Sequence, residues 1–474
     1  MKKITLLLLI LILILTSCSI GQNNKPEKPN TDYSQKKGPN INPNEGGEGG
    51  QDITNRDDVE PDINHIDIEV DRKMTDDAVK NGKEKKDIIL NQNNSKKDNT
   101  KGFNSQKLSD NINTGILIER YNTKVPDYIN VDLRYAEYDI PLDYLLVTTE
   151  GVKIFTEPRK SSSTLGSANF FAKVKLEGKV KGEYIDALKT DEWYLLSWME
   201  EGQIAYGYVM KNAGEPRTFR FDKMAQSIRG LEDKLIDRKY GYISNYKDRN
   251  GSPPLKDGKA IDEFGIQAYQ SAPAYSSLED MSDFRYFPDG TIVFIHDEQG
   301  EYFKVENLAY QGMYWIPKKF ISFDDNIDSL NKVVVVDKLN QNQGAFEKVD
   351  DKWTLISYTL ATTGSTEQNK FETPTGFFKL LEKRDRFYYI NDKTKELGGY
   401  APYGTRFTAG AYIHGVPIDY VKKNGENVDP GMREYLFTIG TTPRSHKCVR
   451  NYTSHAKFIY DWADVNDTAV IAID

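Results

Sequence analysis

The heptapeptide Ser445-His446-Lys447-Cys448-Val449-Arg450-Asn451 lies near the end of a 474-residue chain that contains only 2 Cys, Cys18 and Cys448. A thiol becomes a nucleophile as the thiolate, so it needs a base or a positive neighbourhood. His446, Lys447 and Arg450 supply both within two residues of Cys448. If the segment is extended, His446 and Cys448 share one face. Scarce reactive residues also cluster here: His414, His446 and His455 are three of the 5 His in the chain.

Working back from this stretch, Val333-Val334-Val335-Val336 reads as a buried strand, and Trp353 to Thr362 alternates before Thr363-Gly364. Glu372-Thr373-Pro374-Thr375-Gly376-Phe377-Phe378 is a Pro-bearing turn opening into an aromatic strand. Ile413-His414-Gly415-Val416-Pro417 follows. In this order the segments resemble the motifs of the L,D-transpeptidase catalytic domain, the YkuD-type fold. The match spans about residues 330–474, with Ser445-His446-Lys447-Cys448-Val449-Arg450 standing where the family has Ser-His-Gly-Cys-[Ile/Val]-Arg.

The resemblance implies a cysteine acyltransferase of peptidoglycan stem peptides. Cys448 would be the nucleophile, His414 its general base, and His446 the residue shaping the site beside it, with His446 as the alternative base. The backbone N–H groups of Lys447 and Cys448 would face the oxyanion. Arg450 is expected either to support the loop or to meet a substrate carboxylate, and Ser445 and Gly415 are further candidates for substrate binding. His455 sits in a helical pattern over Ser454 to Trp462 and is read as structural. Two features depart from the family. Lys447 replaces a Gly, costing about 1–2 kcal/mol if the position needs a positive φ. The 34-residue spacing from His414 to Cys448 leaves room for a polar insert, Tyr420 to Tyr435, read as a loop or lid.

The rest of the chain sets the context. Its length predicts about three domains. Aromatic residues make up 12%, with 29 Tyr and 21 Phe, which favours strands over helical bundles. The net charge of −8 provides no global basic field, so nucleic acid is excluded as a partner. Residues 144–213 contain five strand-length runs in an order that resembles a bacterial SH3-like module. Residues 263–323 repeat part of that order as a second module. The connector, 214–262, carries a helical stripe at Met224, Ile228, Leu231 and Leu235. Such modules in exported bacterial proteins usually bind cell-wall glycan or peptide. His296 has no second metal-ligating residue at suitable spacing, and neither a metal nor a cofactor is expected.

At the amino end, Met1-Lys2-Lys3 precedes a Leu/Ile run from Ile4 to Leu15, the length of a signal peptide and too short to span a membrane. The run ends in Leu15-Thr16-Ser17-Cys18, which resembles the bacterial lipobox. Residues 1–17 are therefore expected to be a lipoprotein signal peptide and Cys18 a lipidated anchor, held by two acyl chains. Residues 18–110 are poor in apolar side chains and are expected to form a disordered tether. The expected fold class is mainly β: a YkuD-type β domain, preceded by one or two small SH3-like barrels and the lipidated tether. The expected protein is a monomer, exported and membrane-anchored, that forms 3→3 peptidoglycan cross-links. The alternatives are an L,D-carboxypeptidase using water as acceptor, and a catalytically impaired wall-binding lipoprotein, motivated by Lys447.

Overall fold

The computed structural model describes Val59–Glu60 and residues 115–474, apart from 201, 368–369 and 392–393. The expected signal peptide, lipidated Cys18 and all of the expected tether except Val59–Glu60 lie outside the described residues.

The region expected to be catalytic is built on two sheets. Lys332–Asp337 runs parallel to Thr468–Ile473 on one side and antiparallel to Asn342–Val349 on the other; Lys352–Leu360 and Gly376–Lys379 extend this first sheet. The Val run is apolar at every position because both of its faces are covered. Val334 and Val336 pack with Phe378, Phe407, Ile413 and Val449 between the two sheets. Val333 and Val335 pack on the opposite face with Met224, Ile228 and Leu231 of the helix Phe221–Asp237. The predicted helical stripe is thus the inner face of a helix laid on the catalytic sheet, with Leu235 at its margin. Its first turn is fixed by Arg220, whose guanidinium donates two hydrogen bonds of 2.7 Å to the fully buried Asp337.

The second sheet runs Glu382–Ile390, Leu397–Thr408, Ala411–His414 and Val449–Arg450. Its outer edge pairs in parallel with Val59–Glu60, in register with Tyr388 and Tyr389. An open strand edge offers N–H and C=O groups to which an extended segment can pair.

Upstream, Asp143–Val147, Val152–Phe155, Lys173–Ile185, Thr190–Glu200 and Gln203–Met210 share one sheet, which also takes in Ile116–Arg120 and Gly214–Thr218 on either side of the expected 144–213 boundaries. A seven-stranded sheet follows. It includes Ser271–Tyr275, Ile292–Gln299 and Tyr302–Glu306, and begins earlier than expected, at Tyr240–Ile243. This second module is joined to the catalytic region by backbone and charge. Thr291 bridges to Phe378, the Lys379 N–H donates to the Gly290 carbonyl at 2.9 Å, and Arg406 pairs with the buried Asp289 at 2.8 Å. Gly290 has φ 84°, and a Cβ there would lie 2.2 Å from the Phe407 carbonyl oxygen, so only Gly permits this approach.

Candidate active site

Two adjacent parallel strands position the expected catalytic pair, with His414 at the end of one and Cys448 just before the start of the other. Ile413 pairs with Val449 and His414 with Arg450. Ile413 and Val449 point between the sheets. Strand alternation therefore turns Tyr412, His414, Cys448 and Arg450 to the opposite face. There Cys448, only 3% exposed, packs with Phe387, Tyr389, Ala401 and Tyr412. His414 is the diagonal neighbour of Cys448 across the strand pair. Its ring meets Phe387 edge-on at 5.1 Å, and Phe387 in turn stacks on Tyr412 at 4.4 Å.

The hydrogen bonds of His414 define its tautomer. Nδ1 lies 2.6 Å from the Gly415 carbonyl oxygen, which only accepts, so Nδ1 carries the proton. The Nε2 lone pair is left buried, with no hydrogen-bond partner among the described residues. Burial lowers the imidazole pKa to about 3; the hydrogen bond to Gly415 opposes this, and the neighbouring Arg450 charge adds to it. His414 is therefore a neutral base whose Nε2 lone pair is buried and unpartnered among the described residues. The Cys448 thiol reaches the Gly410 carbonyl at 3.8 Å.

The Thr-Gly and Thr-Pro segments clamp the nucleophile loop. The N–H groups of Arg444 and Ser445 both donate to the Thr363 carbonyl, and the Ser365 N–H donates to the Ser445 carbonyl. The Thr373 hydroxyl donates to the Lys447 carbonyl at 2.7 Å and accepts from the Gly364 N–H at 2.8 Å. Gly364 is required by contact: a Cβ there would lie 2.4 Å from the Phe371 carbonyl oxygen and 2.7 Å from the Lys447 and Thr373 nitrogens. Downstream, Arg450 exchanges backbone hydrogen bonds with Thr362, and the Asn451 N–H donates to the His414 carbonyl.

Lys447 adopts φ 66°, the left-handed conformation that makes Gly the natural occupant. Its side chain is buried, with Nζ 5.4 Å from the centre of the Phe371 ring. The expected oxyanion donors are already engaged: the Lys447 N–H donates to Phe371 at 2.8 Å and the Cys448 N–H to His446 at 2.9 Å. The second bond closes a tight turn over two residues, the geometry that a positive φ at Lys447 creates. In this arrangement both expected donors point at carbonyls of their own loop region.

The other expected residues are also placed. His446 is partly buried, with its ring 5.1 Å from Phe371. Ser445 is buried and its hydroxyl donates to the Cys448 carbonyl, so it braces the loop. Gly415 orients His414 through its carbonyl, and a Cβ on it would lie 3.0 Å from Pro402 and Thr453. Arg450 is 2% exposed. His455 lies on the helix Thr453–Trp462, with Nε2 3.2 Å from the Ser357 hydroxyl and its ring against Tyr135. His296 bonds Glu306 at 2.8 Å, and Lys234 reaches the same carboxylate. Among the described residues no group of three or more His, Cys, Asp or Glu converges as a metal site.

Sequence reasoning missed Phe371 and the wall facing it. A narrow cavity beside Lys447 is lined by Phe371, Pro374 and Ala409 from the catalytic region and by Gln267, Tyr269 and Pro288 from the second module. The position of Phe371 beside Glu372-Thr373-Pro374 was a signal within that motif. The docking of a separate module carried none.

Residues 331–471 match the sequence model of YkuD, the L,D-transpeptidase catalytic domain. No curated protein matches the chain. Among solved structures, an L,D-transpeptidase from Mycobacterium smegmatis is 15% identical, with 40% of this chain and 93% of that one covered, at a TM-score of 0.25. An L,D-transpeptidase from Mycobacterium tuberculosis H37Rv is 16% identical, with 34% and 72% covered, at 0.24. A fused Zn-dependent amidase/peptidase/peptidoglycan-binding protein from Clostridium acetobutylicum is 19% identical, with 31% and 54% covered, at 0.21, so the chain spans about half of that protein's length. The family rests on the sequence match and on the ordered motifs: residues 331–471 form an L,D-transpeptidase catalytic domain of the YkuD family.

Proposed function

We propose that this protein is a lipid-anchored peptidoglycan L,D-transpeptidase that works through a Cys448 thioester and forms 3→3 cross-links. The observation that carries the reading is the neutral His414, whose unpartnered Nε2 lies on the same sheet face as Cys448, one strand away. His414 takes the thiol proton as sulfur attacks the carbonyl of the third residue of a donor tetrapeptide stem. The resulting imidazolium returns that proton to the departing amine of the terminal D-Ala, whose C–N bond breaks to leave the thioester. An acceptor amine then attacks, losing a proton to His414. The C–S bond breaks, and sulfur recovers its proton.

For the Cys448 N–H to meet the oxyanion, its bond to His446 must open, which makes the tight turn at Lys447 part of the catalytic cycle. Cys448 is covered at rest, so the donor must also displace a segment. The insert supplies the candidate lid: Val421–Lys423 and Glu426–Val428 form a hairpin. Asp429, just past it, is tied to Arg386 at 3.2 Å and to the Tyr400 hydroxyl at 3.3 Å. An anchor at Cys18 would hold this body near the membrane.

The test is product analysis by mass spectrometry after incubating the purified full chain with disaccharide-tetrapeptide stems. The reading expects 3→3 dimers with release of D-Ala. Tripeptides without dimers would replace it with a carboxypeptidase using water, and unchanged stems would replace it with a wall-binding role.

A further inference from the structure

A second cavity, of about 460 Å³, lies at the seam between the second module and the catalytic region, away from Cys448. Its charges are unbalanced. Lys379 is 2% exposed; its Nζ donates to the carbonyls of Leu380 at 3.0 Å and Val465 at 2.7 Å, and among the described residues no carboxylate pairs with it. Burial lowers its pKa to about 8, which leaves the ammonium mostly charged at neutral pH. Such a buried cation is costly without a counter-charge.

Arg406, 7% exposed, spends Nη1 on Asp289 and the Ala409 carbonyl and Nε on Glu382; among the described residues Nη2 donates to nothing. From the module side comes Arg249, exposed, whose guanidinium donates to the Ser244 hydroxyl and has no carboxylate partner among the described residues. Of the two acids lining the cavity, Asp289 is committed to Arg406 and to the Asn245 N–H, which leaves Asp325 alone against the two cations without a carboxylate partner, Lys379 and Arg249. Tyr242, Ser244 and Asn466 add polar groups to the wall.

We propose that this cavity is a binding site for a phosphate group carried on a small polyol, held by Lys379, Arg406 and Arg249 across the module boundary. Cations approaching from both sides suit a tetrahedral dianion, which offers oxygens in several directions. The cavity's volume leaves room for hydroxyls beside the phosphate. Occupancy also bears on the nucleophile, because Arg406 holds the Ala409 carbonyl and the next residue's carbonyl accepts the Cys448 thiol. The site does not depend on the transpeptidase reading, since binding is measured without turnover.

The test is isothermal titration calorimetry of the full chain at low salt with glycerol 3-phosphate, inorganic phosphate and acetate. The expected result is saturable binding of glycerol 3-phosphate, about tenfold or more tighter than acetate, and weakened about tenfold by Arg249→Gln, as expected for loss of one charge-assisted contact. Lys379→Gln is expected to weaken it at least as much, and the exposed Arg249 supplies a variant whose folding is not at risk. Equal affinity for inorganic phosphate would support the site with free phosphate as its ligand. No binding of either phosphate, equal binding of acetate, or binding unchanged in Arg249→Gln would overturn the proposal.

Discussion

Lys447 is where this chain departs from its family's signature, and its backbone makes the departure measurable. At φ 66° a residue with a Cβ costs about 1–2 kcal/mol relative to the right-handed region. Gly avoids that strain but loses about 0.5–1 kcal/mol more chain entropy on folding. Comparing Lys447→Gly with Lys447→Ala isolates the backbone, because both remove the stem and the ammonium over Phe371. Gly should be the more stable of the two by about 0.5–1 kcal/mol. In a domain of this size that is a difference of about 1–4 °C in the melting transition. Differential scanning calorimetry of both variants in the full chain reads the difference directly, on whichever transition the substitution shifts. Equal melting, or Ala above Gly, would refute a left-handed Lys447, and with it the claim that the turn at His446–Cys448 stores strain.

Two further predictions follow from burial and contact. His414 and His455 are both held neutral by burial, with pKa values lowered from 6.5 to about 3. The unfolded chain therefore binds more protons below pH 6.5, and stability that is full above that pH is lost as the pH falls toward 3. Between pH 6 and 5 the pair should cost about 2 kcal/mol, and His455→Gln should roughly halve its contribution to the slope in melting runs against pH. A slope unchanged in that variant would contradict the assignment. Gly364→Ala forces a Cβ onto three backbone atoms, and should destabilise the domain by about 1–3 kcal/mol and disturb the geometry of Cys448. Denaturant melts and the rate of Cys448 alkylation check this; wild-type behaviour in both would mean the clamp is looser than described.

Much of this architecture was legible in the sequence because it depends on local pattern. The run Val333 to Val336 is apolar without alternation, and the structure buries both of its faces. The stripe at Met224, Ile228 and Leu231 faces inward, as its spacing requires. The position of the family Gly, filled by Lys447, does adopt the positive φ that a Gly there suggests. What sequence could not carry was placement between distant segments. Nothing in Asp289 or Arg406 alone announces a buried pair 117 residues apart that joins a module to the catalytic sheet. Nor does the motif reveal that the amides of Lys447 and Cys448 are spent on Phe371 and His446, since that depends on how the 363–373 loop folds back. The pairing of Val59–Glu60 with Tyr388 and Tyr389 was hidden because a strand edge recruits backbone, which leaves no compositional trace.

The central claim is that Cys448 is the nucleophile and His414 its base. Intact-mass spectrometry of the full chain exposed to a carbapenem tests it, with the time course of adduct formation followed in the wild type and in Cys448→Ala, His414→Ala and His446→Ala. The account predicts one adduct per chain in the wild type, none in Cys448→Ala, acylation slowed by at least about a hundredfold in His414→Ala, within the usual range for losing a general base, and a smaller loss in His446→Ala. Rapid acylation of His414→Ala together with none in His446→Ala would contradict it and move the base to the neighbouring His446.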